Sequence, residues 1–340
     1  MRHQLGTIVL GEVSKSVRGT IFQTPVLQSA PHYFEASVPH QVVLGRDKVK
    51  IDGHDTTFEL RGYPPDILLI QVVIDVPNIF DKNNISDLEE KIFSECFRLL
   101  KKRGGNKDLT EVYSVFMVSD YSGEPEQFLS HAPVIASLLK SEKMTLDQKE
   151  IDYTLESQIK YARNDLSVID WDGAFLFDPE GKFEPTTELL TLANLQLLRH
   201  RILDRELDGR LEHAEKLLEF PKKRAHTTKE LSEDMRDIIK SRMASISKFQ
   251  ALERDIKLIG DWYYARLYDL AVKKFKIEEW YKSIKDKLDS LEDVYSMIAE
   301  NFTVSRKQRA EWIQIIGFFV LQIGWFGLII LEFFYFTRPQ

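Results

Sequence analysis

The strongest hydrophobic pattern along the chain is an apolar run near its C-terminal end. Between Trp312 and Phe336 the only formally charged side chain is Glu332. As a helix this run extends for about 37 Å, and a helix of that length can cross a hydrocarbon core of about 30 Å with some tilt. Soluble core helices are rarely apolar on every side over such a length. The pattern therefore predicts a transmembrane helix within an anchor of residues 311–340.

Basic residues on either side of the run predict its orientation. Arg306, Lys307 and Arg309 precede it, whereas only Arg338 follows it. Basic flanks favour the cytoplasmic side of a membrane, so we expect the large N-terminal part in the cytoplasm or the matrix. The segment is expected to cross this membrane once, as a tail anchor.

Residues 1–182 alternate between strand-like and helix-like patterns. The clearest strand lies at 66–76, where continuous β-branched residues indicate a central position in a sheet. Ser86 and Glu89 have the spacing of a capping box and predict a helix that runs to about Arg103. This order of elements predicts an α+β fold with a mixed sheet. The other expected elements are short strands before residue 60, a strand at 111–118, a helix at 124–140 and extended segments at 150–161 and 166–177.

From Glu184 onward the pattern is helical only. Leucines at helical spacing predict a helix over 186–218, which Pro221 ends. Apolar residues then repeat at intervals of three and four, a coiled-coil-like seam that a partner helix or sister subunits must cover. Gly260 allows a bend, so a straight rod and a hairpin are both compatible with the sequence. Residues 183–310 are therefore predicted to form a helical stem with a break near 219–227.

Charge and cysteine content narrow the range of functions. The net charge is −7, whereas a protein that coats nucleic acid needs a basic surface, so no nucleic-acid partner is expected. The single cysteine, Cys96, lies in a helical pattern and is interpreted as buried filler instead of a nucleophile. The histidines lack metal-ligand spacing, and we predict neither a metal nor a cofactor.

Polar residues and glycines inside the apolar run predict self-association. Gln322 lies near the midplane, where its amide needs a hydrogen-bonding partner. Gly317 and Gly324 are seven residues apart and flank the polar side that includes Gln314. Small residues allow two helices to approach closely in a bilayer. Gln314, Gly317, Gln322 and Gly324 are therefore the expected contacts of a homo-oligomer.

One string has the form of a catalytic motif. The residues Asp170-Trp171-Asp172-Gly173 stand between apolar segments and resemble the first motif of haloacid-dehalogenase-type phosphatases. The resemblance implies Asp170 as nucleophile, Asp172 as general acid and Mg²⁺ between them. Ala174 replaces the threonine of that motif, and the chain continues as helices instead of the further strands that this fold needs. The competing interpretation, which we prefer, is a strand with both aspartates on its solvent face and no catalytic residue.

The membrane entry resembles that of a known family. Residues 309–316, Arg-Ala-Glu-Trp-Ile-Gln-Ile-Ile, are similar to the Arg-Leu-Glu-Trp-Ile-Ile sequence of the RMND family, and Glu332 matches its late acidic residue. That resemblance implies membrane-anchored scaffolds with an α/β body and a helical stem, whose mitochondrial members support translation near the inner membrane. The membrane that it implies for this chain is the inner (plasma) membrane of a bacterium or the mitochondrial inner membrane. A more distant likeness to CorA-type magnesium channels lies in the α/β body and stalk, but the second span and the Gly-Met-Asn signature are missing.

The expected function is that of a non-enzymatic homo-oligomeric scaffold or tether. It would associate through its stem and transmembrane helix, and it would contact the lipid bilayer and a protein partner that the sequence does not name. A CorA-like cation channel or transporter is the first alternative, and a haloacid-dehalogenase-like phosphatase is the second.

Overall fold

The computed structural model describes residues 1–22, 40–219 and 262–336. These residues divide into two compact units, one of residues 1–206 with 262–284 and the other of residues 207–219 with 285–336. The first part of the expected stem belongs to the same unit as the sheet, and the domain boundary near residue 182 stays a prediction.

Nine strands of the described residues form one sheet, in the order β2-β3-β4-β5-β1-β6-β9-β8-β7. Neighbouring strands are antiparallel except β6 and β9, which are parallel. The mixed sheet and the α+β class are therefore confirmed. The strands are β1 (Arg2–Val13), β2 (Thr20–Phe22), β3 (Gln41–Ile51), β4 (His54–Tyr63), β5 (Ile67–Val76), β6 (Gly105–Ser119), β7 (Gln158–Ile159), β8 (Leu166–Ile169) and β9 (Gly173–Phe177).

The strand β1 lies in the middle of the sheet between β5 and β6, although the sequence pattern predicted only irregular segments and short strands there. Val9 belongs to the hydrophobic core on one face and Leu10 to the core on the other. Glycines interrupt its apolar run, and glycine is unfavourable in isolated strands. A Cβ atom at Gly11 would lie 2.7 Å from Leu100 Cδ1, so any larger residue there would require the buried Leu100 side chain to shift. The prediction was wrong because close packing, not local propensity, places this strand.

Helices cover both faces of the sheet. The helices α1 (Lys82–Lys102) and α2 (Ala132–Leu139) pack on one face, and α2 follows directly after the 3-10 helix Pro125–His131. The opposite face is covered by the N-terminal part of α4 (Glu184–Glu219) and by α5 (Trp262–Lys274). The sheet therefore has two separate hydrophobic cores.

The boundaries of α1 were predicted correctly at one end only. The helix begins at Lys82, and Asp81 caps it by accepting a hydrogen bond from the backbone N–H of Asn84 at 3.4 Å. Ser86 lies inside the helix, so the capping-box prediction was wrong. The end at Lys102 agrees with the predicted end near Arg103, and it is followed by Gly104, whose φ of 81° favours glycine.

The region between α2 and α4 also differs from its prediction. Residues expected to be extended form the helix α3 (Gln148–Leu155), which Asp147 caps by accepting from the backbone N–H of Lys149 at 3.0 Å. The segment predicted as one extended piece at 166–177 is the antiparallel hairpin of β8 and β9. The N-cap signal of Asp147 and the turn at residues 170–172 were the local features that the prediction overlooked.

The described part of the expected stem is not a single rod. After α5 the chain turns at Lys276, whose φ is 48°, and α6 (Ile277–Phe336) follows. In the second unit the seam residues Leu288, Leu291 and Tyr295 are buried, and Lys287 Nζ lies 2.5 Å from Asp208 Oδ1 of α4. Coiled-coil geometry is not confirmed. The predicted break at 219–227 and the bend at Gly260 fall outside the described residues.

A carboxyl group is buried between α1 and the sheet. Glu89 is 5% exposed, and its Oε1 accepts a hydrogen bond from Ser114 Oγ of β6 at 2.5 Å. Burial raises the pKa of Glu89 to about 7, with a further contribution from the charge of Asp172, while the Ser114 hydrogen bond lowers it. The folded protein therefore holds a proton on Glu89 over a pH range in which the unfolded chain has lost it, and folding becomes less favourable as the pH rises through that range.

We expect Glu89→Gln to raise the melting temperature of the full chain at about pH 8 and to change it little at about pH 5, because the amide carries no charge to bury. The raised pKa corresponds to a stability loss of up to about 3 kcal/mol at the higher pH. Circular dichroism melts in detergent measure both values. Glu90→Gln, at the exposed neighbouring position, is the matched control, and an equal effect of Glu89→Gln at both pH values would contradict the assignment.

Candidate functional site

The predicted apolar segment lies in α6, and its residues 312–331 are exposed. The 21 residues Glu311–Leu331 are long and apolar enough to cross a membrane by length and composition; the mean hydropathy of their most apolar stretch of 18 residues is 2.1, and 0% of that stretch is buried. Large apolar side chains in this segment range from 47% exposed at Ile315 to 74% at Leu321. A continuous apolar surface of this kind marks contact with lipid or with another protein.

The four residues expected to contact a second helix all lie in this segment. Gln314, Gly317, Gln322 and Gly324 are exposed, and a Cβ atom added at either glycine would meet nothing within 4 Å. With about 100° between successive residues of a helix, Gly317 and Gly324 lie within about 20° of each other. The two glycines therefore form a strip of open backbone along one side of α6. Their contact with a second helix stays a prediction.

The other predicted site surrounds the turn between β8 and β9. Asp170 is 4% exposed, and its carboxylate oxygens lie 3.1 Å from Lys140 Nζ and 3.3 Å from Lys274 Nζ. Lys140 follows the last residue of α2, and Lys274 is the last residue of α5. These three residues, which we call the Asp170 clamp, connect segments that are far apart in the sequence.

The interpretation that Asp170 and Asp172 both face solvent was wrong. Asp170 is buried and Asp172 is half-buried; burial and the charge of Asp170 raise the pKa of Asp172. Both residues belong to a tight turn, in which the N–H of Asp170 donates to the carbonyl of Gly173 at 2.9 Å. Side chains alternate between two faces only along a strand, so the period-two argument does not apply to this turn.

An aromatic ring and a second carboxylate complete the surroundings of the clamp. Lys274 Nζ lies 4.8 Å from the ring centroid of Tyr153, and Lys140 Nζ lies 6.0 Å from it. Lys140 also pairs with Glu150 at 2.8 Å. Each ammonium group is thus stabilised by a carboxylate and by an aromatic face. Sequence reasoning missed both lysines and Tyr153, because no spacing or motif connects them with Asp170.

The arrangement favours a structural role for the clamp. A nucleophilic carboxylate must be reachable by its substrate, whereas that of Asp170 is buried and neutralised by two ammonium groups. In residues 1–22, 40–219 and 262–336 no group of three or more His, Cys, Asp and Glu side chains could hold a metal ion. Cys96 is fully buried, and burial raises its pKa to about 12, so the thiol is packing material as the sequence indicated.

These features define an α+β sheet domain in a chain that also has a helix of membrane-spanning length. The chain belongs to the family of Uncharacterized protein MJ0711: the family profile described as "Uncharacterized protein MJ0711, N-terminal domain" matches residues 7–184, from within β1 to the first residue of α4. Uncharacterized protein MJ0711 of Methanocaldococcus jannaschii is 30% identical over 237 residues, which are 69% of this chain and 71% of that protein. No solved structure matches. The expected likeness to the RMND family and to CorA-type channels is not confirmed.

We expect Asp170→Asn to lower the free energy of unfolding of the full chain by about 3 kcal/mol, because two partly buried lysines lose their common counter-ion. Denaturant titration followed by tryptophan fluorescence measures this change. Asp152→Asn is the matched control, since Asp152 is an exposed carboxylate of α3 whose Oδ1 accepts a hydrogen bond from Gln148 Nε2 at 2.8 Å. Equal effects of the two substitutions would show that the clamp does not stabilise the fold.

Proposed function

We propose that the protein is anchored in a lipid bilayer by Glu311–Leu331 and that its α+β unit acts as a homo-oligomeric scaffold or tether on the cytoplasmic side. The observation that carries the proposal is the exposure of every large apolar side chain in that segment. Water is a poor solvent for such a surface, and transfer into hydrocarbon removes its hydration cost. A core helix of a soluble protein would instead be covered by its own chain.

The dimensions of the segment agree with this role. Its 21 residues form a helix of about 31 Å, close to the hydrocarbon thickness of about 30 Å. A continuous α-helix satisfies its backbone hydrogen bonds internally, which lipid requires. Trp312 stands at the start of the apolar run, the position at which aromatic residues contact the membrane interface.

The flanking charges support the proposed side of the membrane. Arg306, Lys307 and Arg309 precede the segment on the side of the α+β unit, and basic flanks favour the cytoplasmic leaflet. A tether at this position agrees with what the RMND-like membrane entry implies. The partner would contact the α+β unit, whose two hydrophobic cores give it a fixed surface.

Self-association through α6 is supported by the strip that Gly317 and Gly324 form. Helices in lipid associate by close packing and by interhelical hydrogen bonds instead of by the hydrophobic effect. The strip permits close packing on one side of α6, and the amide of Gln322, about 160° around the helix from Gly324, supplies a hydrogen bond near the midplane to a helix on the opposite side. These features support a homo-oligomer formed within the bilayer.

We expect the intact chain to sediment with membranes and to resist extraction by alkaline carbonate. The double substitution Leu321→Lys with Trp325→Lys should release it into the soluble fraction, because each lysine near a helix centre disfavours insertion by about 3 kcal/mol. Fractionation followed by immunoblotting measures the distribution.

The matched control places two lysines at the same spacing outside the apolar segment, at Asp293 and Met297, which are exposed residues of α6. This variant should remain in the membrane fraction. Recovery of the intact chain in the supernatant without detergent would overturn the proposed anchoring.

We expect Gly317→Ile with Gly324→Ile to weaken association in liposomes at least about tenfold, because the β-branched side chains hold the two backbones apart. Gln322→Leu should weaken it about threefold through loss of one hydrogen bond in lipid. Energy transfer between labelled chains, measured against the protein-to-lipid ratio, gives both values.

Gly327→Ile is the control for the glycine variants, since Gly327 lies about 60° around the helix from Gly324. It introduces the same side chain outside the strip and should change association little. Unaltered association in the double isoleucine variant would refute the role of the strip.

A further inference from the structure

A cavity of about 340 Å³ opens in the first unit, between the start of α5 and the strands β9 and β8, of which β8 lies next to the edge strand β7. It is independent of the membrane segment and of the Asp170 clamp. Its volume is at the lower end of the range of about 300–1,000 Å³ that small-molecule sites occupy. The cavity therefore suits a small ligand or a single chemical group.

Three tyrosines line this cavity and are inclined to one another. The ring centroids of Tyr161 and Tyr263 are 5.3 Å apart with planes at 56°, and those of Tyr263 and Tyr264 are 5.3 Å apart with planes at 65°. Tyr263 is 9% exposed and hydrogen-bonds Ser167 at 3.2 Å, whereas Tyr161 is 70% exposed and lies at the rim. Rings inclined in this way can present several π faces to one ligand.

Carboxylates give the cavity a negative charge. Asp165, Asp178 and Glu180 line it together with one cation, Lys182, whose Nζ lies 2.6 Å from Glu180 Oε2. Lys182 is thus already paired with one carboxylate, which leaves the charges of Asp165 and Asp178 to act on a ligand. The same carboxylates affect Tyr263. Burial raises the pKa of Tyr263 to about 12, and the charges of Asp165 and Asp178 add to the rise.

Both aspartates are held in place by backbone amides. Asp165 Oδ1 accepts from the N–H groups of Tyr161 at 3.0 Å and Ala162 at 2.7 Å. Asp178 accepts from the N–H of Glu180 at 2.8 Å and from that of Lys182 at 3.2 Å. A ligand therefore meets carboxylates that are already positioned, and little conformational entropy is lost when it binds.

We propose that this cavity binds an organic cation with a quaternary ammonium group, which the rings of Tyr161, Tyr263 and Tyr264 surround and the carboxylates of Asp165 and Asp178 attract. Quaternary ammonium groups are large and weakly hydrated, so contact with aromatic faces replaces their hydration at low cost. An inorganic cation would need several converging oxygen ligands in place of rings, and an anion would be repelled by the carboxylates.

Calorimetric titration of the full chain with choline tests the proposal, in a maltoside detergent that itself carries no ammonium group. The matched ligand is 3,3-dimethylbutan-1-ol, which has the shape of choline without its charge. We expect choline to bind at least about tenfold more tightly, because only the cation gains from the ring faces and carboxylates. Equal binding of the two ligands, or no binding at millimolar choline, would overturn the proposal.

Variants assign the binding to this cavity. Tyr161→Ala and Tyr264→Ala should each weaken choline binding by about three- to tenfold, whereas Tyr264→Phe keeps an aromatic face and should retain most of it. Asp165→Asn keeps an acceptor for the same backbone amides and should weaken binding about threefold by removing only the charge. Trp262→Ala, at an aromatic residue that is 70% exposed like Tyr161 but lies outside the lining of the cavity, should have no effect.

Tyr161 is the decisive position because its exposed side chain contributes little to the hydrophobic core, so its removal should leave the protein folded. A melting curve of each variant checks this directly. Unchanged affinity in a folded Tyr161→Ala variant would refute the proposed site. A quaternary ammonium group could belong to a free solute or to a phosphocholine lipid headgroup. Choline titration in phosphatidylglycerol and in phosphatidylcholine nanodiscs separates these sources, since only a bound headgroup would weaken choline binding in the second.

Discussion

Burial of both faces of one sheet is the constraint on which the first unit depends. The central strands carry apolar side chains on both sides, so each face needs a layer of helices. The helices α1 and α2 supply one layer from between the strands. The other layer comes from α4 and α5, which lie after the last strand. The helical half of the chain therefore contributes to the core of the sheet domain before it reaches the apolar segment.

Because helices pack on both faces, some polar groups become buried between helix and sheet. Each of them needs a hydrogen-bonding or oppositely charged partner there. Asp170 is neutralised by the lysines that end α2 and α5. Glu89 of α1 accepts a hydrogen bond from Ser114 of β6. On the opposite face Arg61 of β4 lies 3.4 Å from Glu188 of α4, with both side chains largely buried. An unpaired charge at such a depth is expensive, so these contacts fix how each helix is positioned on the sheet.

Among the residues that the structure describes, the apolar segment of α6 and the cavity beside α5 are not covered in this way, and each has a chemistry of its own. The segment Glu311–Leu331 of α6 exposes apolar side chains on all sides, which suits lipid, and the two glycines give one side of it a flatter profile. Near the edge of the sheet, tyrosines and carboxylates surround a small cavity beside α5. The first surface is defined by a lack of charge and the second by an excess of negative charge. They are therefore suited to different partners.

Local patterns in the sequence determined the apolar segment of α6, the strand β5, the helix α4 and the end of α1 at Gly104, because each depends on neighbouring residues alone. Only the tertiary structure decided that β1 is central, since its glycines are explained by contacts such as that of Gly11 with Leu100. Only the tertiary structure also brings Lys140 and Lys274 to Asp170, and Tyr161 to Tyr263. Residues separated by a hundred positions are brought together by the packing of helices on the sheet, and no local periodicity records that packing.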